Sequence, residues 1–403
     1  MNSQERLVTG YASAAHFLVH ALELTYAAVL IRISQEFGSG LFLLGLVANV
    51  AALAYGLAAL PAGVLSDRVG SQRLVTVCLL ASAVAAFVVV FSPTVYLLAV
   101  ALTGLGLAIG LYHPAGMSLI SRGVRQRVLA LGYHGMMGNL GMAMAPLLAG
   151  SIAWLVGWRG AYVFLAVVAL LLAGALRFAP LPTAAPSPSP ESVPTAKGKV
   201  GLGPALIPLL AVYAAFTLNG FIFRGTMTFL PAYMAERISF SILNIDPVAL
   251  AGSLASLALM CGVVGQYLGG ALAQRMSMEG VILPLAGALA PTLFLVGGTR
   301  DGLLLVSTAA FTFTYFMAQP IYNALVAEYS SAHFQGRSFG ISFFCSFGLG
   351  SFAAGFSGLV AERLGTNWIF YSLAVVGLLV FGLAIYLWRR ASYRMRVGSV
   401  IAE

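Results

Sequence analysis

The chain has 403 residues, of which 60% are hydrophobic and 8% charged, with a formal net charge of +9. A water-soluble domain carries about 25% charged residues, so this composition excludes a chain dissolved in water and makes lipid the solvent for most of its surface. The positive balance raises nucleic acid or a membrane surface as partners, and its distribution along the chain excludes the first.

Met1 to Gly10 is polar and short, and no small-residue cleavage site follows, so this start reads as part of a retained first helix rather than a signal peptide. Apolar segments of about 20 residues, the length that spans a bilayer, recur twelve times. They lie at 10–34, 41–64, 74–92, 95–120, 128–154, 159–180, 205–234, 249–274, 279–298, 302–327, 337–362 and 367–389. Short connections between them predict antiparallel neighbours. One connection differs: Leu181 to Gly203 carries Pro182, Pro186, Pro188, Pro190 and Pro194 with interspersed serines, a composition that forms no packed core. The expected organisation is all-α and integral to the membrane, with twelve helices in two pseudo-symmetric bundles. These are an N-terminal six-helix bundle (1–182), a cytoplasmic Pro/Ser-rich linker (183–203) and a C-terminal six-helix bundle with a basic tail (204–403). The 45 glycines fit closely packed membrane helices.

Lys and Arg sort by side. Fifteen fall on the N-terminus, the even-numbered loops and the C-terminal tail, five on the odd-numbered loops, and Arg224 lies inside a helix. The positive-inside rule places both termini in the cytoplasm and explains the net charge by topology. The expected location is the inner membrane. Cys78, Cys261 and Cys345 sit in apolar runs, with neither a disulfide framework nor a metal-binding spacing.

The halves share weak repeats. Tyr112-His113-Pro114-Ala115 matches Ala318-Gln319-Pro320-Ile321, Trp158 matches Trp368, and Gly269 to Arg275 is a degenerate copy of the loop after helix 2, with Gln274 where that loop has Asp67. The loop itself, Gly63-Val64-Leu65-Ser66-Asp67-Arg68-Val69-Gly70-Ser71-Gln72-Arg73, joins two apolar segments. Gly63 and Gly70 are expected to permit a tight turn and close helix approach. This G-x-L-S-D-R-x-G-x-x-R run resembles the signature of the major facilitator superfamily of secondary transporters. The resemblance implies that Asp67 helps latch the halves closed at the cytoplasmic side, with Arg122 or Arg337 as partner, while Arg68 and Arg73 anchor the loop.

Two further runs carry resemblances. Gly141-Met142-Ala143-Met144-Ala145-Pro146-Leu147-Leu148-Ala149-Gly150 is similar to a helix-5 pattern of antiporting family members, with Ala145 and Ala149 replacing glycines. Small residues and a proline fit a bending, closely packed helix between the halves. His113-Pro114-Ala115-Gly116 and Gly135 to Gly141, with His16, resemble the fosmidomycin-resistance-like branch of exporters. Against simple transfer, Val100 to Gly106 lacks the arginine found early in helix 4 of many proton-coupled exporters.

Ionisable groups inside a membrane are expensive, at least about 2.5–3.5 kcal/mol each, and so point to function. His16, His20 and Glu23 recur at i, i+4, i+7 and share one helix face. An offset of 201 between helices 1 and 7 sets Glu23 opposite Arg224. Glu23 is the expected proton acceptor. Arg224 would bind an anionic substrate group or pair with Glu23, and a permanent Glu–Arg strut is the structural alternative. Tyr112, His113, Tyr133, His134, Asn139, Asn219, Gln266, Gln319, Tyr322 and Asn323 are expected to line the cavity, with Asn49 as a further polar candidate. Such aromatics and amides suit an amphipathic organic ligand. The histidines, with Met117 and Met137, also suit a borderline divalent metal or copper as cargo.

No phosphate-cradling G-x-x-x-x-G-K motif is present, and no enzyme constellation or cofactor is expected. The expected function is proton-coupled efflux of a small organic molecule by a monomer embedded in the bilayer. Uptake of a nutrient or metal, and a ligand sensor without flux, are the alternatives.

Overall fold

The computed structural model describes residues 1–179, 181, 206–241, 244–330 and 335–402. The 183–203 linker and the charges at Lys197 and Lys199 lie outside the described residues. Among those described, the chain is helical, without strands, and twelve helices are long and apolar enough to cross a membrane. They are α1 (Ser3–Phe37), α2 (Leu41–Val69), α3 (Ser71–Val90), α4 (Val95–Gly123), α5 (Arg127–Val156), α6 (Trp158–Phe178), α7 (Leu206–Arg237), α8 (Pro247–Ala273), α9 (Met278–Gly298), α10 (Asp301–Tyr329), α11 (Ser338–Leu364) and α12 (Asn367–Ala402).

Helices outrun their apolar windows where polar residues satisfy the helix ends. α1 starts seven residues before the expected 10 because Asn2 and Glu5 form a capping box, each side chain taking the other's backbone N–H at 2.8 and 2.9 Å. Its far end closes on Gly38 in the left-handed conformation.

The two halves pack alike. In the first, α1 packs on α5, α2 on α4, and α3 on α6; in the second, α7 meets α11, α8 meets α10, and α9 meets α12. The bundles meet through α5 with α8, α2 with α11 and α1 with α7. Glycine sets these distances. A Cβ at Gly106 or Gly110 of α4 would lie 2.1 Å from the Ala51 carbonyl oxygen or 2.4 Å from that of Tyr55 in α2. In the second half the roles are exchanged: Gly265 and Gly269 of α8 abut the carbonyls of Phe313 and Met317 in α10. Gly269, which the repeat assigned to a degenerate loop, therefore lies inside a helix and makes a packing contact.

Two helices are interrupted. Pro114 has no N–H to give the carbonyl of Gly110, and α4 breaks at Leu111, so that Tyr112 and His113 open its second segment. In α11 a π turn over Phe344–Gly348 runs into a 3-10 turn. There the backbone of Gly348 comes within reach of a Cβ built at Gly56, and that of Ser346 within reach of one built at Gly220.

Helices alternate in direction, so both chain ends emerge at one face, here called the termini face. At the opposite face polar clasps join the bundles. Arg32 Nη2 donates to Asp246 Oδ2 at 2.6 Å, and the Phe42 amide donates to Glu362 Oε2 at 3.0 Å. The other oxygen of Asp246 caps α8, accepting from Val248 and Ala249 amides at 3.1 Å each. Burial alone would raise the Asp246 pKa, but the Arg32 hydrogen bond and these two amides outweigh it, and the carboxyl is held below its ordinary value.

Two outcomes follow. Gly269→Leu, whose Cβ would lie 2.0 Å from the Met317 carbonyl oxygen, is expected to destabilise by at least the ~1–3 kcal/mol of core overpacking. Gly270→Leu, with open space around its Cβ, is expected to leave the thermal midpoint in detergent unchanged. Because the pKa of Asp246 is lowered, its clasp holds above the ordinary aspartate pKa of about 3.9 and is lost only as pH falls through the depressed value. Spin labels across the opposite face should keep their distance from pH 8 to 5 and separate on stronger acidification. A distance that lengthens between pH 7 and 5 would contradict the assignment.

Candidate functional site: a buried histidine cluster facing an inter-bundle cavity

A cavity of about 450 Å³ lies between the bundles, lined from helix midpoints toward the termini face. Beyond it, toward the opposite face, the bundles close through the glycine contacts and clasps. One wall, from the first bundle, carries imidazoles; the other carries aromatic rings and amides, among them Phe223, Tyr315, Gln319 and Phe347.

The i, i+4, i+7 face of α1 supplies the core of the site. His16 and His20 are 8% and 3% exposed. A carbonyl can only accept, so Nδ1 of His16 donates to the His134 carbonyl at 2.7 Å. Nδ1 of His20 meets Glu23 Oε2 at 2.7 Å, and Glu23 Oε1 accepts from Arg224 Nη2 at 2.5 Å. The Nε2 atoms of His16 and His20 face each other at 3.1 Å. The Glu23 and Arg224 side chains are 4% and 8% exposed. This is an ion pair between bundles at the bottom of the cavity, in an adjoining pocket of about 50 Å³ shared with Tyr55.

The break in α4 delivers the next layer. Tyr112 donates to the Ala12 carbonyl and stacks on His16, fixing α4 to α1. His113 Nε2 pairs with the Tyr55 hydroxyl, and its ring stacks on Phe343 and Phe347 from the other bundle. From α5, His134 stacks on His16 with ring centroids 4.1 Å apart. Its two ring nitrogens, Asn139 Nδ2 and Gln266 Oε1 are buried without a hydrogen-bond partner.

The structure brings together most of the expected residues. His16, His20, His113, His134, Asn139, Asn219, Gln266, Gln319, Tyr322 and Asn323 line the cavity. Tyr112 lies behind His16 instead of on the wall. Tyr133 is corrected: it is 48% exposed on the outer side of α5, because one residue turns an α-helix by about 100° and its neighbour His134 takes the inward side. Asn49 is buried at the α2–α11 seam, donating to Ser351 Oγ at 3.0 Å. Tyr55 and Phe343, not singled out from sequence, belong to the site; both sit in apolar runs where a ring gives no signal.

The signature loop also departs in part from expectation. Asp67 at the end of α2 pairs with Arg122 of α4, a partner within its own bundle; the side chain of Arg337 lies outside the described residues. Gly70 makes the turn with φ 89°, but Gly63 is inside α2 with only ordinary contact to Pro114. Ser71 donates to Ser118 at 2.8 Å and Gln72 to the Leu176 carbonyl at 2.8 Å, whereas Arg68 and Arg73 are exposed, so polar uncharged side chains hold the loop. In the helix-5 run, Gly141 abuts the Phe17 backbone, while Pro146 and Gly150 lie along α8. Ala145 is buried beside them.

A metal would find ring nitrogens of His16, His20 and His113 within 4.8 Å of one another. The sole carboxylate among the described lining residues, Glu23, is already neutralised by Arg224, so this donor set is poor in charge for a dication.

Comparison with known proteins agrees with this architecture. Residues 12–355 match the Major Facilitator Superfamily. Over 330 residues the chain is 27% identical to a probable sulfoacetate transporter of Cupriavidus necator, covering 76% of this chain and 72% of that one. Over 149 residues it is 26% identical to a probable L-galactonate transporter of Escherichia coli, covering 36% of this chain and 32% of the relative, so that match spans about a third of the relative's length. Among solved structures, a bacterial homologue of the human lysosomal transporter Spinster, inward-facing and occupied, superposes with TM-score 0.74 at 16% identity, covering 96% of this chain and 98% of that one. A peptide transporter bound to alafosfalin gives 0.74 at 16% identity, with 94% and 95% covered. These structures share the fold. The chain therefore belongs to the major facilitator superfamily, and it is an integral, multi-pass membrane transporter of small molecules and not an enzyme.

Proposed function

We propose that this chain is a proton-coupled secondary transporter of a small organic molecule. It works by alternating access as a monomer in the inner membrane, with both termini in the cytoplasm. The observation that carries the reading is the buried Glu23–Arg224 pair between the bundles, bonded through His20 to the cavity wall. Protonating Glu23 would remove the attraction that ties α1 to α7, so proton binding and bundle separation share one group. In the orientation given by the positive-inside rule the cavity faces the cytoplasm.

Export by antiport is the direction expected from the helix-5 run and from the resemblance to the fosmidomycin-resistance-like branch. The placement of Pro146 on the α5–α8 seam supports a moving helix there. Entry of substrate together with a proton is the second reading. It is favoured by the sign of the site, where one carboxylate faces an arginine and four imidazoles.

Proteoliposomes with an imposed pH gradient and an internal pH dye test both. Substrate-driven proton movement is expected in the wild type and should fall to background in Glu23→Gln. The direction of proton flow relative to substrate separates antiport from symport. A purely structural strut predicts that the double variant Glu23→Gln/Arg224→Gln, which leaves no buried charge unpaired, still couples protons to transport. Coupled transport in that variant would remove Glu23 from the mechanism.

A further inference from the structure

The hydrogen-bond directions around the histidine pair fix a proton count. His16 Nδ1 faces a carbonyl and must carry a proton; His20 Nδ1 faces a carboxylate that already accepts from Arg224, and must carry one too. Both Nε2 atoms then point at each other at 3.1 Å. Two lone pairs at that distance repel; one proton between them makes a hydrogen bond and an imidazole–imidazolium pair. Glu23 and Arg224 cancel, which leaves the site at +1.

From the helices packed on α1, the titratable or charged groups facing the pair are Tyr55 of α2, Tyr112 and His113 of α4, His134 of α5 and Arg224 of α7. Among the described residues none of these adds a negative charge at neutral pH. A buried charge without a partner is strongly destabilising, so the arrangement calls for an anion on its open side. That side is built for one. His134, 4% exposed, stacks on His16 with both ring nitrogens unpartnered; Asn139, 6% exposed, lines the same cavity and its buried amide nitrogen is unpartnered too. The facing aromatic wall suits a ring-sized apolar body.

Building on the proton-coupled reading above, we propose that the cavity takes its ligand as a small amphipathic organic anion. Its carboxylate or sulfonate is seated on the donors of His134 and Asn139, and the proton shared by His16 and His20 is its counter-charge. Anion and proton then bind together, and by linkage each raises affinity for the other.

The test is calorimetry on the full chain in detergent, with benzoate and benzenesulfonate against benzamide and benzylammonium, in buffers of differing ionisation enthalpy. The expected result is anion binding at least tenfold tighter than amide or ammonium, strengthening toward low pH, with net proton uptake at pH values where the unliganded pair is deprotonated. His134→Gln should weaken it at least tenfold with the thermal midpoint kept. His16→Ala should abolish the uptake, and His16→Gln serves if the alanine variant does not fold. Equal binding of amide or ammonium, anion binding without proton uptake at any pH, no anion binding, or Zn2+ binding with proton release in place of anion binding would each overturn the proposal. Anion binding with proton uptake but no flux in proteoliposomes would support it while refuting the transport reading, so the two fail separately.

Discussion

The Glu23–Arg224 ion pair is the constraint on which the rest of the molecule depends. In a low-dielectric interior neither charge is tolerable alone, so wherever α1 places Glu23, α7 must place Arg224. With a 2.5 Å contact spanning 201 residues of sequence, that requirement sets the depth at which the bundles meet. It also explains why the imidazoles gather where they do. A carboxylate has two oxygens; one is given to the arginine, and the other orients His20, which orients His16, which in turn bonds to the backbone of α5. The polar core is one connected chain of hydrogen bonds running from the seam to the cavity wall.

Around this chain the fold is held by geometry of a different kind. Lipid supplies no hydrophobic drive to associate helices, so contact rests on close backbone approach. Each half places its glycines on one member of the equivalent pair, α4 in the first and α8 in the second. The backbone symmetry is therefore kept while the sequences that produce it are exchanged. The chemistry of the lining is not symmetric: among the lining residues the histidines all come from the first bundle, while the rings and all amides but Asn139 come from the second.

Much of this was legible in the sequence, for identifiable reasons. Charge is so rare here that its few buried members stand out, and the i, i+4, i+7 spacing of His16, His20 and Glu23 needs only the period of a helix. The offset of 201 then found Arg224. Where the chain is apolar all round, a helix has no polar stripe to fix its rotation, and the reading failed accordingly. Tyr133 does not join the wall that its neighbour His134 takes, and Tyr55 and Phe343, rings in apolar runs, give no signal. The π turn in α11 is not read from sequence; it lies where Gly348 and Gly350 meet Gly56 and Gly220, contacts that only the fold brings together. Asp67 stands out by its spacing, but its partner stays open, because choosing between two arginines needs distances.

The double use of Asp246 has an energetic consequence. Ordering a charged side chain for a single surface contact ordinarily consumes most of what the contact gains. Here the carboxylate is ordered already, one oxygen fixed by the amides of Val248 and Ala249 and its backbone followed by Pro247. Forming this one clasp requires only Arg32 to find its place, and breaking it would free only Arg32, leaving the start of α8 intact. The clasp is thus a latch with a rigid strike plate: the half that caps α8 holds its shape whether or not the arginine is seated.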